Sequence, residues 1–177
     1  MGKYEKVLSK SYMQGGDILI FVTVGSQKFQ FNRLLEEIDL LVGERKICNE
    51  VFAQIGYSDY KPKNYKYKEF LDRDEFQEII EKSKKIITHG GTGAIIGAVK
   101  KGKKVIGVPR LKKFHEHVDD HQLQIISEFR KMEFIYSINE IEELEEAINR
   151  VEDIQFKKYK SNNYDIIHEI DKFIENL

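Results

Sequence analysis

The sequence predicts an α/β fold in which helices cover both faces of a doubly wound parallel sheet. Apolar runs of strand length alternate with segments of helical periodicity along the whole chain. The first run, DILIFVTV at residues 17–24, is typical of a strand that is buried on both faces. Gly25 and Gly56 directly follow the first two runs, as tight turns require. These observations favour parallel strands joined by right-handed crossovers.

The composition is that of an ordinary soluble protein. The chain has 177 residues, 41% of them hydrophobic and 33% charged, which suits one domain with its own core. Its net charge of −1 gives no electrostatic basis for binding nucleic acid. The single cysteine, Cys48, excludes an internal disulfide framework. No apolar run approaches the roughly 18–20 residues that span a bilayer. We expect a cytoplasmic protein in which residues 1–16 are poorly structured and residues 17–177 form the domain.

The elements of the first half each have their own signal. In chain order they are a strand at 17–24, a helix at 31–42, a strand at 51–55, a loop at 57–67, a short strand at 67–71 and a helix at 72–82. Apolar residues recur at helical spacing in the first helix, and Gly43 ends it. The predicted loop is rich in lysine and aromatic residues. Asp72 or Asp74 can cap the second helix.

The second half continues the alternation. It contains a strand at 86–88, a helix at 93–101, a strand from residue 105, a helix at 119–131, a brief strand at 134–136 and helices at 140–150 and 164–177. Gly102 ends the first of these helices, and Asn139 opens the helix at 140–150. No internal repeat and no low-complexity linker interrupts the pattern, so we expect a single domain.

A glycine-rich turn follows the predicted strand at 86–88 and reads His89-Gly90-Gly91-Thr92-Gly93. Its glycines let the backbone turn tightly and approach a ligand without obstruction by a Cβ atom. A helix begins directly afterwards, and the N–H groups at the positive end of a helix suit a phosphate or diphosphate. The turn therefore predicts a phosphate site. The alternative is a turn whose glycines serve packing alone.

Three other functions use similar glycine turns. The oxyanion turn of α/β-hydrolases needs a G-x-S-x-G nucleophile, and the phosphate loop of nucleotide hydrolases needs G-K-[ST]; both motifs are absent. Gly91, Gly93 and Gly97 form a loosened dinucleotide fingerprint, but Leu111 stands where that fingerprint has an acidic residue. Dinucleotide binding remains an alternative.

Polar side chains cluster between residues 115 and 122, after the strand that begins at residue 105. Ligands of open α/β sheets gather at such places. His115, His117 and His121 also suggest a metal, but the chain lacks H-E-x-x-H and has no thiolate nearby. We therefore expect hydrogen bonding to a sugar or phosphate here, and no metal.

Three motifs, taken in order, resemble glycosyltransferase family 28, in the half of its GT-B fold that binds a nucleotide sugar. They are Gly25-Ser26-Gln27, the turn His89–Gly93, and Pro109-Arg110 followed by Glu116-His117-x-x-Asp120-His121-Gln122. The resemblance covers about residues 17–150. It extends to the small catalytic subunits of two-component transferases, in the dolichol pathway and in bacterial exopolysaccharide or capsule synthesis. It implies a single Rossmann-like sheet equivalent to the C-terminal half of a GT-B enzyme.

The resemblance also implies a division of labour. This chain would bind a UDP-hexose, and a membrane-associated partner subunit would bind a lipid-linked saccharide acceptor at the inner face of the membrane. Galactose, glucose or N-acetylglucosamine would be transferred with inversion, in a β-1,4 bond, without a metal or other cofactor. A non-catalytic partner module and a nicotinamide-dinucleotide-binding protein are the alternatives.

The same resemblance implies the residues of the donor site. His89 and the Gly90–Gly93 amides would meet the diphosphate, the hexose would lie near Asp120, and Arg110 would line the cleft. The full set is Gly25, Ser26, His89, Gly90, Gly91, Thr92, Gly93, Arg110, Glu116, Asp120, His121 and Gln122.

Two parts of the family's machinery are not evident in this chain. Related transferases carry a Glu that grips the ribose eight residues beyond the His of the turn, where this chain has Gly97. The general base of relatives tends to lie in the acceptor-binding half, so we expect it on the partner. Within this chain His89 and His121 are the candidates for that base.

Overall fold

The computed structural model describes residues 19–159. Its strands are β1 (Leu19–Thr23), β2 (Val51–Gln54), β3 (Lys66–Lys68), β4 (Ser83–Thr88), β5 (Lys104–Gly107) and β6 (Tyr136–Ser137). Its α-helices are α1 (Asn32–Gly43), α2 (Arg73–Lys82), α3 (Thr92–Lys100), α4 (His121–Lys131) and α5 (Leu144–Arg150). Short 3-10 turns at Lys112–Phe114 and Ile141–Glu143 complete the described part of the chain.

All the strands lie in one sheet, in the order β3-β2-β1-β4-β5-β6, and each neighbouring pair is parallel. The chain builds outward from β1 in one direction and then returns to add β4 on the other side of β1. The carboxyl ends of β1 and β4 therefore flank the point where the strand order reverses, which is where doubly wound sheets bind ligands. The predicted α/β fold is confirmed.

Helices cover both faces of the sheet. Successive side chains of β1 alternate between the faces, and all five of its residues are buried. Ile20 and Val22 pack in the cluster that contains the apolar residues of α1 and α5. Leu19 and Phe21 pack in the cluster that contains those of α2, α3 and α4. Because β1 is buried on both faces, its sequence is continuously apolar.

The predicted loop at 57–67 is wrong at its end, because β3 begins at Lys66 and pairs with β2. The buried carboxylate of Asp39 fixes this segment. It accepts hydrogen bonds from the hydroxyl of Tyr60 at 2.6 Å and from the backbone N–H groups of Lys63 and Asn64. The bond to Asp39 raises the pKa of Tyr60 to about 12. A side chain on α1 therefore orders a segment whose composition indicates a loop.

Three other boundaries differ from the sequence prediction. Helix α4 begins at His121 rather than residue 119, and β6 pairs with β5 only through Tyr136 and Ser137. The predicted helix at 140–150 starts with a 3-10 turn. The N-terminal extension at 1–16 and the predicted helix at 164–177 lie outside the described residues. Between residues 19 and 159, no helix combines the length and apolar character needed to cross a membrane.

Candidate functional site

A pocket of about 230 Å³ lies at the carboxyl edge of the sheet, where the loops after β1, β4 and β5 meet. Its lining residues are Gln27, His89, Gly90, Gly91, Thr92, His117, Asp119, His121, Gln122 and Ile125. Pockets that enclose a whole small ligand measure roughly 300–1,000 Å³. This recess therefore has room for only part of a larger ligand.

The imidazole of His89 is wedged between two glycines. A Cβ atom at Gly25 would lie 2.6 Å from Cε1 of His89, and one at Gly91 would lie 2.7 Å from the same atom. Nδ1 lies 3.3 Å from the carbonyl oxygen of Thr23. Because a carbonyl oxygen only accepts, Nδ1 carries the proton. His89 thus ties the loop after β1 to the loop after β4.

His89 is neutral at physiological pH. Burial and then the positive charge of Arg110 lower the pKa of His89 to about 4. With Nδ1 protonated, Nε2 carries a lone pair and can only accept a hydrogen bond. His89 therefore contributes shape and a fixed ring orientation to the pocket, rather than positive charge.

The buried imidazole makes folding stability depend on pH. The pKa of His89 in the folded chain, about 4, lies below its ordinary value of 6.5, so between these values the unfolded chain binds more protons. The stability that depends on neutral His89 is fully present above about pH 6.5. It decreases as the pH falls, and the free energy of unfolding is lower by about 3 kcal/mol once the pH is below the pKa of the folded state.

This dependence can be measured by urea denaturation across that pH range. We expect His89→Gln to lose this part of the slope, whereas His115→Gln, at an exposed position, should keep it. Equal slopes in the two variants would show that His89 titrates normally in the folded chain.

Gly90 lets α4 pack closely on the turn. Its φ of 92° is accessible to glycine, and a Cβ atom there would lie 2.8 Å from Cδ1 of Ile126 in α4. The turn then enters α3, whose N-cap residue, Gly91, provides no side-chain hydrogen bond to the helix. No acidic side chain occupies the first turn of α3 either. The N–H groups at the start of α3 are therefore available to an anion beside the pocket.

Gln122 lies in the first turn of α4 and is 7% exposed. Its Oε1 accepts a hydrogen bond of 3.3 Å from the backbone N–H of Arg110. This bond fixes the side-chain amide, so that its NH₂ group is the end that can donate to a ligand. The pocket thus combines the start of α3 with an oriented amide donor.

Arg110 is fully buried beneath the loop after β1. One of its terminal nitrogens donates to the carbonyl oxygens of Val24 at 2.7 Å and Phe29 at 3.1 Å. Its other two nitrogens have no hydrogen-bond partner among the described residues. Burial lowers the pKa of Arg110 to about 10, which leaves it protonated at neutral pH. It holds the loop in place and adds a buried positive charge near the pocket.

Glu116 is buried, and both of its carboxylate oxygens accept hydrogen bonds. Both of its carboxylate oxygens lie 2.9 Å from nitrogens of Arg33. One of them also accepts a 2.9 Å hydrogen bond from the backbone N–H of Leu111. Glu116 therefore joins α1 to the loop after β5, and its negative charge acts on Arg110.

His117, Asp119 and His121 form a hydrogen-bonded group at the pocket wall. Nδ1 of His117 lies 3.0 Å from Oδ1 of Asp119. The same oxygen accepts a 3.1 Å bond from the backbone N–H of His121. The ring of His117 packs on Phe29, with 4.6 Å between ring centroids. Among the described residues no set of three or more His, Cys, Asp or Glu side chains is arranged to hold a metal ion.

The structure brings half of the sequence-predicted site residues to the pocket. Those that line it are His89, Gly90, Gly91, Thr92, His121 and Gln122. Gly25 lies behind His89, Ser26 is exposed in the same loop, and Gly93 follows in the exposed first turn of α3.

Three predicted side chains have other roles. Arg110 and Glu116, which the resemblance implies at the cleft, are both buried in the network beneath the loop after β1. Asp120 is exposed and accepts a 2.9 Å bond from the backbone N–H of Lys112. It thus fixes the loop after β5, and its neighbour Asp119 lines the pocket.

Sequence reasoning left four lining residues out of the predicted site: Gln27, His117, Asp119 and Ile125. Gln27 belongs to the first of the three motifs, and the third motif contained a signal for His117 and Asp119. His117-x-Asp119-x-His121 places two imidazoles within reach of one carboxylate, just before a helix. Ile125 follows Gln122 at a spacing of three, which keeps both on one side of α4.

Comparison with known proteins identifies the fold. Residues 19–177 match the family described as the glycosyltransferase family 28 C-terminal domain. The glycotransferase of kitacinnamycin is 13% identical, with a TM-score of 0.59 over 99% of this chain and 43% of that one. The calicheamicin glycosyltransferase CalG4 is 16% identical, with a TM-score of 0.57 over 92% and 39%.

SnogD from Streptomyces nogalater, also a glycosyltransferase, is 17% identical, with a TM-score of 0.55 over 93% of this chain and 41% of that one. At these identities the likeness shows the fold, which is that of the C-terminal half of a GT-B enzyme. The chain spans about two fifths of the length of these structures. No curated protein sequence matches it significantly.

Proposed function

The chain belongs to glycosyltransferase family 28, and we propose that it is the donor-binding, catalytic subunit of a UDP-hexose transferase. One observation carries the proposal: the uncapped start of α3 and the oriented amide of Gln122 adjoin a single pocket. The first suits a diphosphate, and the second suits a sugar hydroxyl. A UDP-hexose carries both groups next to each other.

The diphosphate would meet the N–H groups at the start of α3. These donors and the helix dipole stabilise the negative charge that develops on UDP as its bond to the sugar breaks. The protonated guanidinium of Arg110 adds a fixed charge from beneath the loop after β1. His89 supports this arrangement by holding Gly25 and Gly91 at their places.

The hexose would lie toward α4. Gln122 would donate a hydrogen bond to a hydroxyl, and His121, which also lines the pocket, would contribute a second polar contact. Ile125 provides an apolar surface of the kind that packs against a sugar ring. Asp120, which holds the backbone of Lys112, has no part in this arrangement.

The acceptor would be bound by a partner protein, as in the two-component transferases that the sequence motifs resemble. The pocket has room for only part of a nucleotide sugar, so further protein surface would complete the site. A membrane-associated partner would supply the other half and present a lipid-linked saccharide, in polysaccharide biosynthesis. The chain would then work at the inner face of the membrane, without a metal.

A thermal-shift panel tests the donor assignment. UDP-galactose, UDP-glucose, UDP-N-acetylglucosamine and NADH are compared, with the chain alone and with a co-expressed partner. A ligand that binds only the folded chain raises its melting temperature. We expect at least one UDP-hexose to do so, and His89→Ala to abolish the shift. A shift with NADH alone, or with none of the four, would refute the proposal.

Transfer to a lipid-linked acceptor separates a catalytic subunit from a non-catalytic module. We expect His121→Ala and Gln122→Ala to slow hexose transfer by the assembled transferase. If both variants transfer at the unaltered rate, this chain does not handle the sugar.

Gly97 offers a separate test of where the ribose lies. It belongs to α3, and a Cβ atom there would have no atom within 4 Å, so a longer side chain fits. We expect Gly97→Glu to raise the affinity for UDP about tenfold or more, since hydrogen bonds to a charged group are worth roughly 1.5–3 kcal/mol. Titration calorimetry with UDP measures the gain.

The matched control is Gly97→Ala. It should only stabilise the helix, by up to about 1 kcal/mol. If Gly97→Glu binds UDP no better than Gly97→Ala, the ribose does not lie against α3.

A further inference from the structure

We propose that His117, oriented by Asp119, is the general base that takes the proton from the acceptor hydroxyl. The inference rests on the proposed sugar transfer and places on this chain a role that sequence reasoning assigned to the partner. It starts from a hydrogen-bonded imidazole and carboxylate in the wall of the pocket.

The geometry fixes which nitrogen of His117 carries the proton. Nδ1 lies 3.0 Å from Oδ1 of Asp119, and the backbone N–H of Asp119 is directed at the same nitrogen over a longer distance of 3.4 Å. An unprotonated Nδ1 would place its lone pair against a carboxylate at the shorter of the two distances. Nδ1 is therefore the donor, and in the neutral ring Nε2 has the free lone pair.

Asp119 is itself held in place. Its Oδ1 accepts a second hydrogen bond, from the backbone N–H of His121 at the start of α4. Hydrogen bonding to His121 and the two nearby imidazoles lower the pKa of Asp119 against the opposing effect of desolvation. The carboxylate therefore stays ionised and stabilises the imidazolium that forms when His117 takes a proton.

The ring of His117 has a fixed position. One side packs on Phe29, with ring planes 46° apart, and the side chain is 13% exposed. It is thus held by the loop after β1 on one side and by Asp119 on the other, while remaining part of the pocket wall. A general base needs this combination of fixed orientation and access to the ligand.

The other two histidines of the pocket are less suited to this role. Nδ1 of His89 donates to a neutral carbonyl group, and the ring lies beside the positive charge of Arg110. Both features disfavour taking up a proton. Nε2 of His121 lies 3.7 Å from Oδ2 of Asp119, beyond hydrogen-bond distance, and the side chain is 42% exposed. Among the described pocket residues, only His117 has a carboxylate on Nδ1.

The step balances as a displacement at the anomeric carbon of the donor. The acceptor oxygen forms a bond to that carbon while its proton passes to Nε2 of His117. The bond from the carbon to the UDP oxygen breaks, and UDP leaves with the electron pair. The start of α3 stabilises that charge, and Asp119 stabilises the imidazolium until the proton returns to solvent.

The first test uses the full chain alone. Nitrogen-15 spectra of its histidine rings, recorded against pH, report the tautomer and protonation of each ring. Among the described residues, Asp119 contacts Nδ1 of His117, and His89 interacts electrostatically with the same ring. We expect His117 in the Nδ1-protonated tautomer at neutral pH, and Asp119→Asn to remove that preference. A neutral His117 with its proton on Nε2 would overturn the proposal, because Nε2 would then have no lone pair to take the proton of the acceptor hydroxyl.

The second test uses hexose transfer by the chain assembled with its partner. His117→Ala should lower kcat about 100- to 10,000-fold, the usual contribution of a general base, and should leave the affinity for UDP-hexose nearly unchanged. Added imidazole should restore part of the rate in this variant. His115→Ala, in the same loop but not lining the pocket, should retain the unaltered rate.

The outcomes separate this inference from the proposed function. If the unaltered chain transfers hexose and His117→Ala transfers it equally fast, the base lies elsewhere. A lower rate that imidazole cannot restore, accompanied by weaker donor binding, would reduce His117 to a structural role. If the unaltered assembly transfers no hexose from any UDP-sugar, the proposed function itself is wrong.

Discussion

Replacing Glu116 with alanine is expected to lower the free energy of unfolding by about 3–5 kcal/mol, because it leaves buried positive charge uncompensated. The carboxylate is 1% exposed, meets Arg33 through both oxygens and caps the N–H of Leu111. Without it, the positive charges of Arg33 and of the fully buried Arg110 lose the carboxylate that compensates them. Chemical denaturation measures the loss.

Two variants show whether the charge or the volume matters. Glu116→Gln keeps the shape and part of the hydrogen bonding, so its loss should be smaller than that of Glu116→Ala. Glu140→Ala removes an exposed carboxylate 3.9 Å from Lys113, where both side chains are more than half exposed. Exposed pairs contribute roughly 0–1 kcal/mol. If Glu116→Ala costs no more than Glu140→Ala, Glu116 does not hold α1 to the loop after β5.

Replacing Gly91 with alanine is expected to displace the imidazole of His89 and abolish donor binding. The backbone of Gly91 has φ −62° and ψ 119°, which alanine adopts freely. The effect is therefore steric: the new Cβ atom would lie 2.7 Å from both Cε1 and Nε2 of His89. Overpacking of this kind costs roughly 1–3 kcal/mol. Denaturation and UDP-hexose titration measure the two losses.

Gly93→Ala is the matched control for stability. It makes the same change two residues later, and its Cβ atom would have no neighbour within 4 Å. Alanine at this position should leave the chain at least as stable, because it favours α3. If Gly91→Ala is as stable as Gly93→Ala and the ring resonances of His89 do not move, the imidazole is not wedged between the glycines.

The sequence predicts the sheet well because buried strands and helices have a local pattern of apolar residues. A strand such as β1, covered on both faces, needs apolar residues at successive positions, and the run at 18–22 shows it. Helix α1 needs apolar residues at helical spacing, and its buried residues have that spacing. For β3 the sequence predicts a short strand at 67–71, but the bounds of the strand, Lys66–Lys68, have no such pattern. The strand follows a segment fixed by Asp39, a residue that lies more than twenty positions earlier.

The pocket is only half predictable for the same reason. The glycine turn and Gln122 are visible because backbone conformation and helix position are local properties. The partner of Glu116 is Arg33, 83 residues away, and no spacing rule joins them. Asp119 and Asp120 are adjacent and chemically alike. The backbone N–H of Lys112 decides which of them turns away from the pocket.

In the proposed donor complex, one pocket holds the diphosphate at the start of α3 and the hexose beside Gln122. Amide spectra of the nitrogen-15-labelled full chain, titrated with each UDP-hexose, report on both positions at once. We expect the largest shifts at the backbone amides of Thr92 and Gly93 and at the side-chain amide of Gln122. UDP alone should shift only the two backbone amides. Spectra that do not change, or that change only around Lys100–Lys104 at the opposite edge of the sheet, would rule out this donor site.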